Sequence, residues 1–285
     1  MGKKIKVPIA LRVVRWWFPR LEKYVPSLAT RLFVQLFFTP LHYGFPATEM
    51  QWVKKSKRTY SIVNGRKVWE YSWGEEDKPY VLFVHGWAGR GTQFQFFFPF
   101  ILEAGFRIVA FDGPAHGKSD GKQTNIAEFE EALKQLIKNR GVPRAAITHS
   151  FGGIATLMGI SNGLPIRKLI NIGSPSIGDE IIRTFLREVN GSWAIATFFK
   201  QYMIKKYGRS FNEFSGEYFI RKIQHLDLLL VHDENDKDVP IIHAERILEL
   251  YPNAKMYRTR GLGHTRILKD EGVIKVCVQF IGQEE

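Results

Sequence analysis

Five short apolar runs constrain this chain more than any other feature: YVLFVHG (80–86), RIVAFDG (107–113), AAITHS (145–150), KLINIGS (168–174) and LDLLLVHD (226–233). Each ends in a polar or glycine-rich turn, and helix-like segments lie between them. A strand covered on both faces reads as a continuous apolar run rather than an alternation, because neither face meets water. Strand followed by helix, repeated, predicts an α/β fold with a doubly wound, mostly parallel sheet. In such sheets ligands collect beyond the carboxyl ends of the strands. The helices are legible as well. NIAEFEEALKQLIKNRG carries Asn125 as N-cap, Glu128 as its capping-box partner and Gly141 as the stop. HAERILELYPNA and RILKDEGVIKVCVQFI are further amphipathic candidates. Ahead of the first run, TYSIVNGRKVWEYSW places Asn64-Gly65 between two strand-like stretches, which predicts a hairpin with a type I′ turn.

Two regions break the rhythm. Residues 1–58 read as a basic, aromatic, helical arm containing Trp16, Trp17 and Phe18, and residues 59–285 as the α/β domain. Within that domain, residues 176–222 lack any strand signal and are dense in Phe and Tyr, which predicts a small helical cap insertion. The formal net charge of +13 is concentrated in the arm: residues 1–60 hold twelve Lys and Arg against Glu22 and Glu49, a net of +10. Arg12 and Arg15 interrupt the early apolar run, so it is not read as a secretory leader. The stretch 32–46 is too short and too interrupted to span a bilayer. The favoured expectation is that LRVVRWWFPRLEKYV and LATRLFVQLFFTPL lay apolar faces on the body, with weak attraction to an anionic membrane surface as an addition. No nucleic-acid motif accompanies the arm, and no nucleic-acid partner is expected. Cys277 is the single cysteine, which excludes an internal disulfide and points to a reducing, cytoplasmic location, peripheral at the inner membrane face if the arm docks. The histidines lack the close Cys/His spacing of a metal site.

The turn in AAITHSFGG concentrates the chemistry. An apolar strand stops at Thr148-His149-Ser150 and restarts at once as a small-residue helix through Gly152-Gly153. Strand, sharp turn and helix with a serine at the tip is the layout of a nucleophile elbow, although Thr148 stands where a glycine is usual and would crowd a poor fit. A serine hydroxyl needs a base, and the base needs an orienting carboxylate. His264 follows a later strand in YRTRGLGHTRIL. Asp233, Asp236 and Asp238 share the loop after LDLLLV, so the carboxylate is one of the three. The order Ser, Asp, His suits this fold. VLFVHGWAGRG ends a strand in a His-Gly turn whose amides could meet an oxyanion.

Together, LFFTP, VHGWAGR, AFDGPAHGKSDG, HSFGG, HDENDKDVP and GLGHTRIL resemble the segments of α/β-hydrolase-fold serine hydrolases, in particular bacterial esterase-like members. The resemblance implies Ser150 as nucleophile, His264 as general base and acid, and Asp236 as the residue orienting His264. It also implies that the backbone N–H groups of Trp87 and Phe151 form the oxyanion hole. The implied activity is hydrolysis of a small acyl compound, an ester or a relative, through an acyl-serine intermediate, with no cofactor. The alternative is a non-catalytic ligand-binding or membrane-surface protein on the same fold. His85, His116 and His149 are expected to bond loop backbone, Asp112 to organise its turn, and Phe94, Phe96, Phe97, Phe98, Phe100 and Cys277 to pack in the core.

Overall fold

Asn64 and Gly65, at φ 49° and 76°, close the first hairpin, both in the left-handed region that a type I′ turn requires. In the computed structural model residues 9–283 are described, with side chains from residue 12 onward; Lys3, Lys4 and Lys6 of the basic arm lie outside them. The described residues divide into two compact units, residues 39–177 with 214–283 and residues 9–38 with 178–213. Residues 39–58 of the basic arm therefore group with the sheet, and the residues before them with the insertion helices.

The first helices are α1 (Ile9–Tyr24), α2 (Pro26–Phe37) and α3 (Ala47–Lys55), and the hairpin strands are β1 (Lys57–Val63) and β2 (Arg66–Trp73). The five apolar runs supply β3 (Tyr80–Val84), β4 (Arg107–Phe111), β5 (Ala145–His149), β6 (Lys168–Ile172) and β7 (Asp227–Asp233), and β8 is Lys255–Thr259. The remaining helices are α4 (Phe98–Glu103), α5 (Ile126–Arg140), α6 (Phe151–Ser161), α7 (Gly178–Val189), α8 (Trp193–Tyr207), α9 (Gly216–Ile220), α10 (Ile242–Leu250), α11 (Gly263–Arg266) and α12 (Glu271–Gly282).

All eight strands form one sheet, ordered β1-β2-β4-β3-β5-β6-β7-β8. β1, β2 and β4 pair antiparallel, and every pair from β4 to β8 is parallel. Strand order reverses around β3, with β4 on one side and β5 on the other, so the crevice of the doubly wound sheet opens at the carboxyl ends of β3 and β5. Alternate residues of the strands face opposite layers. Val81, Phe83, Ala145, Ile147, Ile170, Ile172 and Val231 join the core that includes Phe94, Phe97, Phe98 and Cys277, so those rings are packing residues; Phe96 is exposed. On the other face Phe111 meets Phe129 of α5, with ring centroids 6.1 Å apart.

Two helix details depart from expectation. Asn125 caps α5 by accepting the Glu128 amide at 3.1 Å, but the Glu128 carboxylate pairs with Arg66 at 3.1 Å, so the capping box is only half formed. RILKDEGVIKVCVQFI is not one helix. Asp270 leaves helical geometry and accepts the Val273 amide at 2.9 Å, so it starts α12 where the sequence reads as continuous.

The smaller unit has its own aromatic core. Phe33 of α2 stands edge-on to Phe199 of α8 at 5.4 Å, and Phe37 stacks obliquely on Phe185 at 4.4 Å and Phe199 at 4.7 Å. Phe18 of α1 meets Phe33 at 6.5 Å. Removing one such buried ring typically costs about 3–5 kcal/mol. The two ends of the unit are also tied by polar contacts: Arg15 pairs with Glu188 at 2.6 Å, and Glu22 accepts from both the amide and the hydroxyl of Ser192.

Candidate active site

β5 and α6 meet at Ser150, which takes φ 53° and ψ −125°, a conformation costly for a residue with a side chain. The backbone is held there on both sides: the Ser150 amide donates to Ile172 O and its carbonyl accepts from the Gly153 amide, each at 2.9 Å. The turn can be this tight because glycines admit two close approaches. A Cβ on Gly152 would overlap the Val84 and His85 carbonyls, and one on Gly86 would stand 2.9 Å from the Ser150 Cβ. Thr148 does not crowd the elbow. It is buried in β5, and its hydroxyl donates to Ile170 O at 3.1 Å and Asn171 Oδ1 at 3.0 Å, so β6 absorbs the extra atoms.

Of the three loop carboxylates, Asp236 is the one that meets His264, accepting from Nδ1 at 2.7 Å. Its second oxygen accepts the Asp238 and Val239 amides, each at 2.9 Å. Burial alone would raise the Asp236 pKa. The hydrogen bond and charge of His264, the Val239 amide and His232 outweigh it and hold the carboxyl below its ordinary range. Asp233 instead accepts from the Asn235 and Leu262 amides and the Thr259 hydroxyl, tying the ends of β7 and β8 together. Asp238 is exposed.

The site closes around Gly173, next in the chain after the Ile172 carbonyl that holds Ser150. A Cβ there would lie 3.3 Å from His264 Nδ1 and 3.5 Å from Asp236 Oδ2. With Nδ1 on Asp236, Nε2 is the nitrogen left to His264 for a substrate or serine. The Ser150 hydroxyl is not hydrogen-bonded to the imidazole in this geometry; such bonds commonly tighten only around a bound substrate. Phe151, as first residue of α6, presents one of the amides without an intrahelical acceptor, at the positive end of the helix dipole. The Trp87 indole lies edge-on to Phe151 at 5.2 Å, so the two residues named for the oxyanion hole are neighbours.

His85 and His116 serve the backbone. His85 Nε2 accepts the Gly113 amide at 2.8 Å, and His116 Nε2 accepts the Ala88 amide at 3.0 Å, where Ala88 has φ 57°. Asp112 is fully buried and accepts from Tyr71 Oη and the amides of Gly91 and Lys118, and burial lifts its pKa despite those bonds. Four contacts had no signature in the sequence. Gln93 Nε2 donates to His149 Nδ1 at 3.2 Å. His149 Nε2 in turn donates to the His264 carbonyl at 2.9 Å, with the rings 4.5 Å apart. A half-buried Arg90 pairs with buried Glu49 at 2.7 Å, and with Thr92 also on Glu49 this fixes the loop after β3. Each joins residues at least 41 positions apart, which no local spacing encodes. Among the described residues no group of His, Cys, Asp and Glu has the arrangement of a metal site, and no helix is long and apolar enough to cross a membrane.

Residues 81–276 match the model of the alpha/beta hydrolase family. Among curated proteins, a bifunctional esterase/perhydrolase of Acinetobacter calcoaceticus is 30% identical over 95 residues, 32% of this chain and 34% of that protein. A non-heme chloroperoxidase of Streptomyces lividans is 31% identical over 100 residues, 33% of this chain and 36% of that protein. The chain thus spans about a third of the length of the curated relatives it matches. Of the solved structures, an esterase from Exiguobacterium antarcticum has TM-score 0.61 at 18% identity, covering 79% of this chain and 98% of its own. A membrane phospholipase A described as a bacterial virulence factor has TM-score 0.62 at 14% identity, covering 96% of each chain. At these identities the likeness is one of fold.

Proposed function

This chain belongs to the alpha/beta hydrolase family, and on that premise we propose that it is a serine hydrolase, carboxylesterase-like, cleaving an ester or related acyl compound through a covalent acyl-Ser150 intermediate. The observation that carries the reading is the 2.7 Å bond from His264 Nδ1 to Asp236, beside a serine held at φ 53° at the head of a helix. In the proposed reaction Ser150 Oγ attacks the acyl carbon while its proton passes to His264 Nε2. Asp236 fixes the tautomer that leaves Nε2 free and stabilises the imidazolium. The negative oxygen is met by the amides of Phe151 and Trp87, and loss of one such donor typically costs about 3–4 kcal/mol. His264 then protonates the departing alcohol. It next takes a proton from water as the water oxygen attacks the acyl carbon, and returns that proton to Ser150 Oγ as the bond to the enzyme breaks and the acid departs. Thioester and amide substrates would use the same groups.

A fluorophosphonate probe tests the reading directly. Stoichiometric labelling at Ser150 is expected, and a folded protein that resists the probe would favour the non-catalytic, ligand-binding alternative. The carboxylates are separable by rate. Asp236→Asn is expected to lower turnover by roughly 10³–10⁴-fold, because the amide no longer selects the tautomer. Asp238→Asn, exposed and touching Asp236 only through its backbone, is expected to stay near wild type. Steady-state rates on a p-nitrophenyl ester measure both, and a greater loss at Asp238 would overturn the assignment.

A further inference from the structure

Helix α1 has two working faces, and packing accounts for only one. Phe18 and Leu21 are buried in the smaller unit's core, and Arg15 and Glu22 turn to Glu188 and Ser192. On the opposite side the helical repeat aligns Val13, Trp16, Trp17, Arg20 and Tyr24. Val13 is 56% exposed, Trp16 58%, Trp17 53% and Tyr24 73%. Arg20 lies over the Trp16 ring at 4.1 Å and donates to the Trp16 carbonyl, and Lys23 lies over Tyr24 at 5.4 Å. Arg12 is exposed too. Glu22, the only acid of α1, is drawn off to Ser192, so this outward face mixes aromatics and cations without an anion.

We propose that the outward face of α1 docks this protein on the surface of a bilayer containing anionic phospholipid, with Trp16, Trp17 and Tyr24 in the headgroup layer and Arg12, Arg20 and Lys23 on lipid phosphates. Charge complementarity selects this occupant. The described residues of the smaller unit, 9–38 and 178–213, carry eleven Lys and Arg against five Asp and Glu, a net of +6. A second copy of the chain would set one such face against another and be repelled. A nucleic acid would answer the charge but would leave two indoles and a valine without an apolar partner. Indole and phenol rings with basic side chains are the composition that rests at a membrane interface. The proposal is independent of the serine-hydrolase reading, because it draws on none of the residues named for that site.

Cosedimentation of the full chain with phosphatidylcholine vesicles, with and without phosphatidylglycerol, tests it. Binding is expected only with phosphatidylglycerol, and high salt should release it. Arg20→Gln with Lys23→Gln is expected to weaken partitioning about 30-fold, from the usual contribution of two basic residues near an anionic surface. Trp16→Ser with Trp17→Ser should reduce binding at unchanged net charge, and neither pair disturbs Phe18 or Leu21. Absence of binding, equal binding to neutral vesicles, or insensitivity to both pairs would overturn the proposal. So would a concentration-dependent dimer in sedimentation velocity, or binding to DNA, that the tryptophan substitutions abolish. Ser150→Ala should sediment as the wild type does, which separates this result from the fate of the catalytic reading.

Discussion

Ser150→Ala is expected to reduce hydrolysis of an activated ester by roughly 10⁴–10⁶-fold while leaving the fold intact, since triad residues act as a unit and the first removed costs nearly all the rate. The fold should survive because what Ser150 contributes structurally is backbone: an amide bonded to Ile172 O and a carbonyl bonded to the Gly153 amide. Alanine can also occupy the positive-φ region in this chain, as Ala88 does at 57° and Ala115 at 60°. Turnover of p-nitrophenyl acetate and a thermal melt are the two measurements. A folded variant with wild-type turnover would exclude the acyl-Ser150 pathway.

Acid should destabilise this protein well above the range in which carboxylates titrate. Burial pushes the pKa of His116 and of His243 down to about 4 and that of His149 down to about 3, and His85 and His232 are lowered in the same direction. Each of the first three uses an unprotonated ring nitrogen as acceptor: His116 for Ala88, His243 for the Ser176 and Ile177 amides, His149 for Gln93. Between the unfolded value near 6.5 and the folded value, the unfolded chain binds the proton and the folded chain does not, so stability falls as pH falls. From pH 7.5 to 5 the loss is about 2 kcal/mol per histidine, a sizeable share of a typical total of about 5–15 kcal/mol. Asp112, its pKa raised, works the other way but is one group against five. Asp236, its pKa lowered, adds a further loss only below the ordinary carboxylate range. Urea unfolding followed by circular dichroism at pH 7.5 and pH 5 should show a large fall in midpoint, and equal midpoints would mean that these rings are not held neutral.

Much of this architecture is legible because it rests on local rules. A strand covered on both sides must be apolar throughout, which is why YVLFV and KLINI stand out, and Asn64-Gly65 announces a turn that few other pairs can make. The elbow is legible for the same reason: a serine between an apolar strand and a glycine-rich helix start is a local pattern, and the later order of Asp236 and His264 follows chain direction. What escapes is carried by side chains that meet across the fold. Gln93 reaches His149 because β3 and β5 are neighbours, and nothing near residue 93 records it. Glu128 looks like a capping-box residue until Arg66 competes for its carboxylate. The grouping of α1 and α2 with α7 and α8 depends on phenylalanine rings whose spacing, read locally, says only that each helix has an apolar side.

That last grouping bears on the order of events during synthesis. α1 and α2 leave the ribosome before α7 and α8: Phe185, Phe199 and Phe211, against which Phe33 and Phe37 pack, are made roughly 150 residues later. At about 5–20 residues per second the interval is on the order of 10–30 s. Throughout it, a basic, aromatic helix pair has none of its later partners, while the strands between are emerging and can begin to pair. Until then Phe33 and Phe37 lack the rings they pack against in the folded unit. Closure of the smaller unit is expected among the late steps of folding, gated by translation rather than by the intrinsic speed of helix packing.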